Sequence, residues 1–109
     1  FRQTAITSIT IPDSVTTVGL RSFQTCISLT SATIGSGVTS ILDFAFYQCN
    51  NIAFTSITSL AVLAPTLGGA SVFSATNLTK IIVPVGSTAS YVAEGGGGGL
   101  YGGLTIEEA

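Results

Sequence analysis

The chain has 109 residues, enough for one domain with a modest core. Only 7% of them are charged and 46% are apolar, with net charge −2 and mean hydropathy +0.66. That balance excludes disorder, which goes with low hydrophobicity, and it leaves no basic footprint for nucleic acid. The longest apolar run, Leu60-Ala61-Val62-Leu63-Ala64, is far short of the ~20 residues that span a bilayer.

Serine and threonine fill 29 positions, 16 of them threonine. Near-zero net charge leaves little repulsion between copies, so a β-branched, hydroxyl-covered surface points to partners. These are protein or glycan, or further copies of the chain itself. Phe1 stands five residues before Ile6, as Phe73 stands five before Leu78. This spacing reads as the tail of a preceding unit, so the chain is taken as a fragment of a longer one or a processed mature form.

From Ile6 the sequence repeats. Ile6-Thr7-Ser8-Ile9-Thr10-Ile11 is echoed 23 residues on by Leu29-Thr30-Ser31-Ala32-Thr33-Ile34. A fixed period of this length predicts a solenoid, in which each unit buries its apolar face only against its neighbours. Further units are aligned at Ile52 (Ile52-Ala53-Phe54-Thr55-Ser56-Ile57) and Leu78 (Leu78-Thr79-Lys80-Ile81-Ile82-Val83). Apolar first and sixth positions and the alternation between them predict a short strand in each unit, stacked into a parallel sheet.

After each strand comes a corner, Pro12-Asp13-Ser14 or Gly35-Ser36-Gly37. Proline presets φ at the first, and glycine allows positive φ at the second. The pairs Val15/Val18 and Val38/Ile41 predict a second short strand or extended edge. Phe23 and Phe46 are predicted to stack in the coil centre. Residues 43–49 suit a single helical or 3₁₀ turn, and no long helix is expected.

These residues resemble the BspA-type leucine-rich repeat family, whose 23-residue pattern runs Leu-Thr-Ser-Ile-x-Ile-Pro-x-Ser-Val-Thr-x-Ile-Gly-x-x-Ala-Phe-x-x-Cys. The segment from Leu63-Ala64-Pro65-Thr66-Leu67 through Val83-Pro84 to Tyr91 resembles the closing repeat of such arrays, with a short helix carrying the tyrosine. The resemblance implies a β-rich leucine-rich-repeat solenoid of short parallel strands stacked as coils. It divides the chain into repeats over 1–75 and a closing repeat with a glycine-rich tail over 76–109. It also implies an extracellular or cell-surface location, an adhesion or interaction role, no catalytic activity and no cofactor. Gly95–Gly99 departs from the family pattern. It reads either as a flexible tether to a last strand at Leu104–Ile106 or as a stand-in for unassigned side chains.

Chemistry-bearing residues are few. Without histidine there is no general base, and the serines lack a nucleophile motif. Cys26 and Cys49 share one repeat position, so their Cα atoms are expected one strand spacing apart, ~4.8 Å, within the range a disulfide accepts. Their parallel side-chain directions weigh against a bond, and the family resemblance implies a buried ladder of reduced thiols instead. A metal site wants four ligands, and none is evident. Asn77-Leu78-Thr79 fits an N-glycosylation acceptor.

The expected contact surface is the outward face of the main sheet. It comprises Thr7, Ser8 and Thr10; Thr30, Ser31 and Thr33; Ala53, Phe54 and Ser56; and Thr79, Lys80 and Ile82. Phe54 and Lys80 are its expected anchors. A second reading has the module stack end to end into a filament or appendage through an uncapped sheet edge.

Overall fold

The structure, a computed structural model, describes residues 6–95 and 99–109. The two readings of Gly95–Gly99 fall mostly outside them, as does the reading of residues 1–5. Two sheets, parallel except where β8 meets β9, form the walls of a solenoid. The larger contains β1 (Ser8–Thr10), β3 (Ser31–Ile34), β5 (Ser56–Ser59), β7 (Lys80–Val83), β9 (Leu104–Glu108) and β8 (Leu100–Tyr101), ordered β1-β3-β5-β7-β9-β8. The smaller is β2 (Thr17–Val18), β4 (Ser40–Ile41) and β6 (Thr66–Leu67). Backbone arcs over 19–26, 43–49 and 69–76 close the third side.

Register follows the repeat where the repeat is regular. Ser8 faces Ser31 and Thr17 faces Ser40, each a step of 23 residues. The next step is longer: Thr33 faces Thr58, 25 residues on. An asparagine turn takes up the difference. Asn51 Oδ1 accepts the Ala53 N–H at 2.9 Å, and its carbonyl accepts the Phe54 N–H at 3.0 Å. The third unit therefore begins at Phe54, not Ile52. Ile52 is thrown outward at 85% exposure, and Phe54 is fully buried.

This slip alters the sixth position too. Ser59, not Ile57, stands in the row of Ile11, Ile34 and Val83. A buried hydroxyl there must be paired. Tyr91 OH lies 2.6 Å from Ser59 Oγ and donates to the Ala61 carbonyl at 2.7 Å. Tyr91 comes from α1 (Thr88–Glu94), the helix expected to carry a tyrosine.

An aromatic ladder runs down the coil centre, extending the predicted Phe23–Phe46 pair. Phe23 and Phe46 stack at 5.3 Å, Phe46 and Phe73 at 5.9 Å, and Tyr101 tilts over Phe73 at 6.3 Å. Such contacts add ~0.5–1.5 kcal/mol each to the burial of the rings.

Two expectations about local backbone are corrected. Residues 43–49 form successive turns with i→i+3 bonds, Tyr47 N–H to the Phe44 carbonyl and Cys49 N–H to that of Phe46. They do not continue as a helical or 3₁₀ turn because Phe44 and Gln48 adopt positive φ. The equivalent Arg21 and Thr25 do the same. At the second corner, Gly35 and Gly37 do not use positive φ. A Cβ on either would run into the Ile11 and Asp13 carbonyls of the preceding corner, so close approach is what demands glycine there. Asp13 fastens the same corners, its Oδ1 accepting the Ser36 N–H at 2.8 Å.

The two ends differ. At the C-terminal end β8 turns into β9 through Gly102-Gly103, with φ of 58° and 88°, as a two-residue type I′ hairpin requires. Helix α1 packs over this end, with Tyr91 edge-on to Tyr101 at 4.9 Å, and Tyr101 OH donates to the Pro65 carbonyl at 2.7 Å. At the N-terminal end β1 pairs, among the described residues, on one side only. Beside it opens a cavity of about 480 Å³ lined mainly by apolar side chains, including Ile6, Ile9, Val15 and Val18.

Candidate interaction surface

Strand alternation sends third and fifth positions outward on the large sheet. The first row is Ser8, Ser31, Ser56, Lys80 and Thr105; the second is Thr10, Thr33, Thr58, Ile82 and Glu107. None of these side chains is buried. Thr7, Thr30, Thr55 and Thr79 form a neighbouring exposed column. Their hydroxyls are partly committed, since Thr30 Oγ1 donates to the Thr7 carbonyl at 3.0 Å and Thr79 Oγ1 to that of Thr55 at 3.2 Å.

The structure thus places Thr7, Ser8, Thr10, Thr30, Ser31, Thr33, Ser56, Thr79, Lys80 and Ile82 on or beside one face. Ser56 sits in the third-position row rather than the fifth. Phe54 is absent from this face because the Asn51 turn shifts it into the core. Ala53 lies in that turn, off the strand. The other expected anchor is engaged by a neighbour: Lys80 Nζ reaches Glu107 Oε1 at 3.3 Å, both side chains being well exposed. Such a pair contributes at most ~1 kcal/mol. The face is therefore a hydroxyl surface with one ion pair and one isoleucine, without an aromatic anchor.

Sequence reading missed Thr58, Thr105 and Glu107. The two-residue slip hid the first. Glycines ahead of the last strand hid the other two, although the alternation in Leu104-Thr105-Ile106 carried a signal.

Cys26 and Cys49 are not joined in a disulfide, and both are fully buried. The Cys49 thiol donates to the Phe23 carbonyl at 2.9 Å, and burial pushes its pKa up to about 12. It is a core group tying one arc to the next. Among the described residues no three His, Cys, Asp or Glu side chains cluster to hold a metal ion. The exposed Asn77 spends its side-chain nitrogen on the Asn50 and Asn51 carbonyls, at 2.8 and 3.3 Å. That amide nitrogen is the atom a glycan would modify, so it already has a structural role beside the Asn51 turn.

A family model described as BspA type leucine rich repeat region matches residues 1–91 in six copies. No curated protein and no solved structure matches the chain. Among the described residues, no helix is long and apolar enough to cross a membrane.

Proposed function

Because the chain belongs to the BspA-type leucine-rich-repeat family, a source of protein-interaction modules, we propose that it is an extracellular, non-enzymatic adhesion module. Its outward sheet face takes a protein partner. The observation that carries this reading is the continuity of that face. Hydroxyl rows run in register from β1 through β3 and β5 to the Lys80–Glu107 pair. Surface-displayed and secreted proteins are usual in the family, which supports the location.

The test is binding to an array of immobilised extracellular proteins and glycans, with Thr33→Arg/Ser56→Arg as the blocking variant. Loss of binding by more than about tenfold, ~1.4 kcal/mol, with an unchanged circular dichroism spectrum is expected. Undiminished binding would remove this face from consideration, and binding confined to glycans would replace the protein partner.

A second reading is favoured by the N-terminal cavity. An apolar opening beside β1, which among the described residues pairs on one side only, suits self-association. With β8 and α1 packed over the opposite end, association through this edge would pair two copies about a two-fold axis. Sedimentation velocity should then show a concentration-dependent dimer that Val15→Glu abolishes. A monomer at all concentrations would dismiss it.

A further inference from the structure

The arcs on the third side carry a backbone code that ends without its partner. In the first arc, the N–H groups of Ser22, Gln24 and Cys26 turn back to carbonyls three residues earlier. Those of Arg21, Phe23 and Thr25 cross to the Asp43, Ala45 and Tyr47 carbonyls of the next arc. In the second arc, Phe46 and Gln48 cross likewise to Val72 and Ser74, at 3.0 and 3.1 Å. The third arc keeps the alternation: Ser74 turns back to Ser71, leaving Phe73 and Ala75 as the next crossing donors. Neither finds an acceptor among the described residues. Ala75 even keeps the positive φ of Thr25 and Gln48 before it.

Among the described residues no fourth arc succeeds the third. The chain leaves β7 for helix α1, and the β8–β9 hairpin brings the Tyr101 ring and Gly102 against Phe73. A cavity of about 650 Å³ remains beside the arc, bounded by Phe73, Glu94 and the Gly102-Gly103 turn. Gly102 packs directly against the Phe73 ring, where a Cβ would lie only 2.8 Å away, so glycine lets the turn form this wall of the cavity. At the upstream end Glu94 Oε2 accepts the Leu67 N–H at 3.3 Å, and its other oxygen has no partner among the described residues.

We propose that this groove binds a peptide segment of a partner protein, laid parallel to residues 69–75 as one further arc. Two of its carbonyls, two residues apart, accept the Phe73 and Ala75 N–H groups, and a basic side chain at its upstream end meets Glu94. The spacing is the one by which each arc already holds its successor. Tyr101 fills the aromatic position, so the residue between the two carbonyls is small. This surface is separate from the sheet face, and the recognition is strand addition applied to an arc.

The probe is the blocked peptide Lys-Gly-Ala-Ser-Val-Ala-Ser-Ala, which copies the third arc with alanine in place of its phenylalanine and a leading lysine. Titrated into the 15N-labelled protein, it should move the Phe73 and Ala75 amide protons downfield with saturation and slow their exchange with solvent. Glu94→Gln, which keeps an acceptor for Leu67, should weaken binding by up to about fivefold, the loss of one partly exposed ion pair. Two unmoved amides at millimolar peptide would overturn the proposal. So would equal shifts from a scrambled peptide of the same composition. Thr33→Arg/Ser56→Arg should leave the titration unchanged, which separates this groove from the sheet-face reading.

Discussion

Urea unfolding should show a stability that holds to about pH 8.5 and then falls, by ~2 kcal/mol from Cys49 alone near pH 10.5. The native thiol, desolvated in the core, keeps its proton up to about pH 12, whereas the unfolded thiol ionises around 9.0. Between those values the unfolded chain binds fewer protons than the native one, so stability falls as pH rises. Tyr91 and Tyr101 add to the loss above pH 10, since burial raises both phenols above their ordinary 10.0. Cys49→Ala should flatten the first part of the curve and leave the tyrosine part. A profile level to pH 11 would contradict the buried state of all three groups. Thiol reagent at pH 8 provides the matching kinetic check: neither cysteine should react until the protein unfolds.

Phe54→Ala should destabilise the protein by about 3–5 kcal/mol, whereas Ile52→Ala should change it by less than about 0.5 kcal/mol. The first removes a fully buried ring from the inward row, and the second trims a side chain that is almost wholly in solvent. Chemical denaturation of the two variants decides the register of the third coil directly. Equal small effects would restore the unit that begins at Ile52 and return Phe54 to the surface. The expected loss is a large share of the total stability of a domain this size, so Phe54→Ala is unsuitable as a probe of binding.

The contrast between these two residues shows where the sequence was legible. The first two units repeat at nearly every position, and their strands, corners and stacked phenylalanines are all readable from that repetition alone. The third unit obeys the same physics with two extra residues. A fixed template slides there, because Ile52 and Phe54 are both apolar and the template has no means to choose. Asn51 was the available clue, as a turn-forming residue where a strand was expected to begin. Ser59 was illegible for another reason. A serine in an inward row makes sense only once Tyr91, 32 residues later, brings the phenol that satisfies it. Glycines gave a similar lesson, since composition suggests freedom of φ whereas Gly35 and Gly37 answer to carbonyls in the preceding corner. For the sheet face, alternation was enough to name the hydroxyl rows, but its supposed aromatic anchor depended on the one register that slipped.

The pairing of β8 against the far edge of β9 has a consequence for how such an array changes length. Each parallel strand offers its far edge to the next coil, but the far edge of β9 is taken by an antiparallel strand two residues long. A coil inserted after that point would find the Leu104–Thr105 edge of β9 already paired. One inserted between β1 and β7 would have a parallel strand on either side. The parallel stretch of the sheet is therefore where a coil can be added or lost without undoing the hairpin.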